Sequence, residues 1–204
     1  MNPEVVTVGL GYIGLPTSAL IASKSTHVLG VDIDQKVVDT VNDGKIHIVE
    51  PDLDLIVSKA VNDGFFKAST TAVAADVFLI VVPTPFKDKF RPDISYVRAA
   101  IESIIPLLKQ NDLIIIESTS PIGTTEKMMS LLKNKRPDLI DKINMAYCPE
   151  RVLPGNIMYE LVNNDRIIGG VNDNSNYLAT KFYKKFVKGG IHITNSKTAE
   201  MCKL

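Results

Sequence analysis

The sequence carries no excess of charge. Its 204 residues hold 23 basic and 23 acidic side chains, so no global field draws it to nucleic acid or to an anionic membrane. Neither is expected as a partner, and ligands must be recognised by local groups. Cysteine is scarce: Cys148 and Cys202 are too few and too far apart for a disulfide framework. That points to reduced thiols and, with no export signal, to a cytoplasmic location. Histidine is scarce too. His27, His47 and His192 lack metal-ligand spacing, so no metal site is expected. The longest apolar stretch, Val5 to Ala22, is broken by Gly9, Gly11, Gly14 and Pro16 and has no basic flank. It reads as neither membrane span nor signal peptide. No internal repeat or low-complexity linker interrupts the chain.

What is present is ample core material, with 45% hydrophobic and 23% charged residues, arranged as short apolar runs between helical patterns. Strands are expected at 5–10, 26–31, 77–82, 113–117, 143–147, 166–168 and 191–194. Helices are expected at 15–23, 35–42, 53–61, 95–108, 124–133 and 176–187, with Ser196 as N-cap of a last helix. Runs such as Val77–Val82 suit strands buried on both faces. The alternation implies right-handed βαβ units, hence an α/β fold with a doubly wound, mostly parallel sheet. The final helix stops after about two turns, a length marginal in water, so the chain is expected to end inside a longer helix.

Gly9-Leu10-Gly11-Tyr12-Ile13-Gly14 follows a strand and opens a helix. Gly9 permits the tight turn, Gly11 lets a diphosphate approach the backbone, and Gly14 allows close packing of helix on strand. The diphosphate then meets the unpaired N–H groups and positive dipole end of the helix. Asp32 closes the second strand, 18 residues after Gly14, where a carboxylate accepts from the ribose hydroxyls and repels a 2′-phosphate. The expected cofactor is NAD on a Rossmann-type domain. Nearby Asp34 reads as the N-cap of the helix starting at Gln35.

Ligands in an open parallel sheet lie beyond the strand carboxyl ends, where three polar turns follow. Pro83-Thr84-Pro85 holds a hydroxyl on a stiff loop, suited to a cofactor or simply to a rigid turn. Ser118 through Thr125 is rich in hydroxyls and leads into a helix, where one of them is expected as N-cap and an anion or water could also be held. Cys148 through Gly155 sets Glu150 beside Arg151: a general base and an anion-binding fork, or a structural salt bridge. Cys148 has no histidine nearby to activate it and reads as buried and inert.

Together these segments resemble the UDP-glucose/GDP-mannose dehydrogenase family, the nucleotide-sugar 6-dehydrogenases. The matching pieces occur in family order: Gly9–Gly14, Val31-Asp32, Glu50-Pro51, Pro83-Thr84-Pro85, Ser118 through Thr124, Pro149-Glu150-Arg151 and Ala199 through Leu204. Segments 45–53 and 146–155 are most similar to the branch acting on UDP-N-acetyl-D-mannosamine, with Arg151-Val152 separating it from the UDP-glucose branch. The resemblance implies oxidation of the sugar C6 alcohol to aldehyde and then carboxylate with two NAD, through a thiohemiacetal and thioester on a cysteine. By position it implies that Tyr12, Ile13, Asp32, Thr84 and Thr125 contact NAD. Thr119 and Glu150 would orient or activate water, and Arg151, Val152 and Lys203 would line the UDP-sugar site. Lys203 would also stabilise the developing alkoxide.

The family's nucleophilic cysteine stands in a Gly-Gly-x-Cys segment beyond that lysine, and no such segment occurs in these residues. Cys202, one residue before the lysine position, is no substitute. The expectation is therefore a cofactor-binding unit, 1–195, followed by the start of a linker or dimerisation helix, 196–204, unable to complete the oxidation alone. A homodimer is implied for the full-length family. The alternatives are a UDP-glucose dehydrogenase or another NAD dehydrogenase, a non-catalytic NAD-binding module, and a Rossmann-like domain that binds no cofactor.

Overall fold

The computed structural model describes residues 3–87, 90–139 and 141–204. In chain order the elements are β1 (Val5–Val8), α1 (Gly14–Ala22), β2 (Val28–Val31), α2 (Gln35–Asn42), α3 (Leu53–Asn62), β3 (Phe66–Ser69), β4 (Val77–Ile80), β5 (Phe86–Lys87), β6 (Arg91–Pro92) and α4 (Ser95–Ile104). Then follow β7 (Leu113–Ile116), α5 (Thr124–Lys135), β8 (Asn144–Tyr147), α6 (Ile157–Asn163), β9 (Arg166–Gly170), α7 (Asp173–Tyr183), β10 (Ile191–Asn195) and α8 (Ser196–Met201). The main sheet has the order β10-β9-β8-β7-β4-β1-β2-β3, and β5 with β6 forms a separate hairpin.

Alternation along the strands divides the core into two layers. Val5, Leu79, Leu113 and Ile115 point to one face, with α1, α2, α3, α6 and α7. Val6, Val8, Phe78, Ile80, Ile114 and Ile116 point to the other, with α4, α5 and α8. Strands buried on both sides need apolar residues at every position, hence the continuous Leu-Ile-Ile-Ile of β7. Every residue of α1 is buried as well. Its burial all round, Thr17 and Ser18 included, reflects a central place in the core.

The doubly wound, mostly parallel sheet is present, with one reversal. Strands β1 to β4, β7 and β8 run parallel, but β9 pairs with β8 antiparallel, with Tyr147 opposite Gly169. The connection 148–165 stays at the carboxyl edge of β8, so β9 begins at that edge and runs back, and β10 pairs parallel to β9. The uniform βαβ expectation fails here because no crossover helix carries the chain to the far edge. Sequence patterns also missed β3, the hairpin and α6, all short and without a full apolar period.

Candidate active site at the strand carboxyl ends

Gly9 has φ +100°, a left-handed conformation that an L side chain resists. A Cβ there would run into the Val81 carbonyl, and one on Gly14 into the Gly9 carbonyl. At Gly11 a Cβ would meet nothing within 4 Å, so this side of the turn is open. The N-cap of α1, Ile13, makes no side-chain capping bond, and the first turn holds no acid. Among the described residues the N–H groups of Gly11, Tyr12, Ile13 and Gly14 donate to no protein acceptor. Unpaired donors at the positive end of a helix form an anion site. It lies where β1 pairs with β4 and the strand order changes direction, the switch point of a doubly wound sheet.

Half-buried Asp32 borders this turn. Its Oδ2 accepts from the Leu10 N–H at 2.9 Å and its Oδ1 from the Asp34 N–H at 3.0 Å. Both oxygens keep lone pairs for hydroxyl donors. Asp34 caps α2 as expected, accepting from the Lys36 N–H at 2.9 Å. Thr84 is half-buried on the loop after β4, a loop whose start, Val81, lies against Gly9.

The turn after β7 is built differently. Ser118 Oγ accepts from the Val82 N–H at 2.9 Å and donates to the Ile80 carbonyl at 3.2 Å, tying β7 to β4. Ser120 Oγ donates back to the Ser118 carbonyl at 2.9 Å. Thr119 is exposed between these two buried serines. The expected hydroxyl N-cap is absent from α5: its N-cap is Gly123, φ 89°, without a capping side chain. Glu200, on α8 and fully buried, does that work. Its carboxylate accepts from the Gly123 N–H at 2.5 Å, the Thr125 N–H at 2.7 Å and the Thr125 hydroxyl at 2.6 Å. Thr125, an expected cofactor contact, is thus fully buried with both its donors taken up by Glu200. The cap of α8 also differs from expectation. Asn195 provides it, accepting from the Thr198 N–H at 2.9 Å.

Glu150 is buried and ion-paired with buried Arg166 at the start of β9. The side-by-side pair with Arg151 does not form. Arg151 gives Glu150 only its backbone N–H, at 2.7 Å, and its exposed guanidinium donates to the Asp165 carbonyl at 3.3 Å. Val152 packs partly against the α1 layer. Arg166 also donates to the Leu161 carbonyl at 3.1 Å and lies 5.3 Å from the ring centroid of Tyr183. The Tyr183 hydroxyl donates to Glu117 Oε1 at 2.6 Å. Burial pushes the Glu117 carboxyl above its usual range, opposed by Arg166, the Tyr183 hydroxyl and Lys203. Lys203, half-buried after α8, is lowered by burial, with Glu117 acting in the opposite sense. Cys148 is fully buried, and burial pushes its thiol far above the thiolate range.

The fold therefore gathers the glycine turn, Asp32 and Thr84 at the β1/β4 crevice. Thr119, Glu150, Arg151 and Lys203 follow along the same edge. Sequence reasoning missed Glu117, Arg166, Tyr183 and Glu200. Two carry a signal in hindsight: Glu117 follows an apolar strand and Arg166 opens one, but only the reversed direction of β9 puts them at the same edge.

Residues 3–187 match the model of the UDP-glucose/GDP-mannose dehydrogenase family, NAD binding domain. The chain belongs to this family, and NAD is the cofactor of its domain. It is 54% identical over 98% of its length to the UDP-N-acetyl-D-mannosamine dehydrogenase of Escherichia coli K12, covering 50% of that protein. It is 51% identical over 98% of its length to the NDP-N-acetyl-D-galactosaminuronic acid dehydrogenase of Ralstonia nicotianae, covering 49% of it. The solved native structure of the UDP-N-acetyl-mannosamine dehydrogenase from Staphylococcus aureus superposes with TM-score 0.95 at 44% identity, over 98% of this family member and 49% of that chain. The chain thus spans about half the length of the curated relatives it matches.

Proposed function

We propose that this chain is the NAD-binding half of an enzyme that oxidises the C6 alcohol of UDP-N-acetyl-D-mannosamine to the carboxylate. The observation that carries this reading is the open N-terminus of α1 beside Asp32, at the same sheet edge as Thr119, Glu150, Arg151 and Lys203. The name of the relative from Escherichia coli supports the choice of sugar, as do segments 45–53 and 146–155.

The glycine turn fits the cofactor because its donors are unspent. The N–H groups of Gly11, Tyr12, Ile13 and Gly14 would hold the diphosphate, Asp32 the adenosine ribose and Thr84 the far end of the dinucleotide. NAD, when bound, supplies a hydride acceptor, and two are consumed per sugar. Thr125 would meet the cofactor only where Glu200 yields its hydroxyl. Arg151 and Val152 would face the sugar nucleotide. Lys203 would stabilise the alkoxide; burial lowers its pKa, which brings proton exchange closer to working pH. Thr119 offers an exposed hydroxyl to a water, and Glu150 a carboxylate held at the edge by Arg166. On this reading Cys148 is not the nucleophilic thiol, since it is fully buried and burial pushes its thiol far above the thiolate range.

The test uses purified chain, NAD and UDP-N-acetyl-D-mannosamine. Saturable NAD binding without accumulation of NADH is expected, and sugar-acid formation by the chain alone would sink the division of labour. Faster turnover of UDP-glucose than of UDP-N-acetyl-D-mannosamine by the complete enzyme would reassign the sugar.

A further inference from the structure

Glu50 is only 4% exposed, and a buried carboxylate must be met by donors or carry a large desolvation cost. Its donors come from two distant places. Gly155 gives its N–H to Oε2 at 2.9 Å and Ile157 its N–H to Oε1 at 2.7 Å. The N-cap of α6, Asn156, makes no side-chain capping bond, so Glu50 serves the start of that helix from outside. The third donor is the hydroxyl of Tyr12, in the middle of the glycine turn. It is shared at long range between Glu50 Oε2, 3.3 Å, and the Val49 carbonyl, 3.4 Å. Tyr12 is 39% exposed, making it the loosest of the three.

The segment from Arg151 to Gly155 is exposed apart from Val152. Buried carboxylates hold it at both ends: Glu150 accepts the Arg151 N–H, and Glu50 accepts those of Gly155 and Ile157. A diphosphate on the N–H groups of Gly11–Gly14 would fix the backbone that carries Tyr12 and so tighten the loose donor on Glu50. We propose that Glu50 is a positioning residue joining the cofactor turn to the Arg151–Gly155 segment, so that NAD binding orders that segment for the sugar nucleotide. The last clause rests on assigning this segment to the sugar-nucleotide site; the coupling to NAD does not. By linkage, whatever orders the segment also tightens NAD.

The test is amide hydrogen exchange at Gly155 and Ile157 with and without NAD, alongside NAD titration of the same samples. In the wild type, NAD should slow exchange at both amides by about fivefold or more, the low end of usual coupling between sites. Tyr12→Phe removes one exposed hydroxyl and leaves the fold intact. At NAD concentrations that saturate this variant, most of that slowing should be lost. Glu50→Gln, where it folds, should lose the slowing entirely, and Glu50→Asp should recover part of it. NAD binding with no slowing at these amides, or equal slowing in Tyr12→Phe, overturns the coupling and leaves the cofactor assignment standing. Absence of NAD binding in the wild type overturns both.

Discussion

Two helices of this chain begin just beyond strand carboxyl ends, and their N-termini are treated in opposite ways. α1 starts with unpaired N–H groups, no acid in its first turn and open space at Gly11. α5 starts with its donors taken by a carboxylate from 75 residues away. Both ends carry the same orphan donors and the same partial positive charge. The difference shows that a helix N-terminus binds an external anion only where the protein supplies no internal one. In sequence the hydroxyl-rich turn before α5 also offered a place for an anion or water, yet Glu200 fills it.

Breaking the sealed end should have the largest effect. Glu200→Ala leaves the buried N–H and hydroxyl of Thr125 and the part-buried N–H of Gly123 unpaired and should cost about 3 kcal/mol or more, at 1–3 kcal/mol per unsatisfied group with partial relaxation. Urea unfolding at constant m-value measures it. Glu200→Gln keeps one acceptor and should lose roughly half as much. A loss within 0.5 kcal/mol, the scale of an ordinary surface substitution, would show that water replaces the carboxylate.

The converse change closes the open end. Gly11→Asp puts a carboxylate where a Cβ meets nothing, imitating Glu200 at α1. It should raise stability by about 0.5 kcal/mol through the dipole. NAD affinity should fall by about a hundredfold, because like charges brought together cost several kcal/mol. Undiminished NAD affinity would mean that the diphosphate does not sit at this turn.

Asp32→Ala separates the ribose from the diphosphate. Hydrogen bonds to a charged group contribute about 1.5–3 kcal/mol, so NAD affinity should fall at least about tenfold. Stability should change by less than about 1 kcal/mol, because the Leu10 and Asp34 N–H groups that Asp32 accepts from can turn to water at this half-buried site. Isothermal titration and thermal unfolding of the same sample separate the two effects, and equal affinity for NADP and NAD in the wild type would count against a ribose-binding carboxylate.

These contrasts also mark what could be read from sequence. The glycine turn was legible because strand, turn, helix and acid lie within one local unit. Gly9, Gly14 and Asp32 each have one physical reason to be what they are. The burial of β4 was legible from the unbroken apolar run at 77–82. The partners of Glu150 and α5 were not, because Arg166 reaches the edge only through the reversal of β9, and Glu200 reaches Gly123 across 77 residues. Glu50 was visible as part of a matching segment, but nothing local tells that its donors are at positions 12, 155 and 157.

The smallest effect concerns a third carboxylate, one that neither seals a helix nor faces an open one. Glu117 has the Tyr183 hydroxyl as hydrogen-bond donor to one oxygen, while the other has no partner among the described residues. Burial raises its pKa in the fold above the unfolded value. A raised folded pKa favours the folded state fully below the unfolded value, and that advantage is lost as pH rises through the folded one. The contribution of Glu117 to wild-type stability should therefore decline from about pH 4.5, the ordinary value of a glutamate carboxyl, upward. Glu117→Gln retains an acceptor for Tyr183 and removes the charge, so this decline should flatten. The pH dependence of urea midpoints in the two proteins decides the matter. A steeper decline in the variant would mean that Arg166 and Lys203 outweigh burial, making Glu117 a second well-met carboxylate like Glu200.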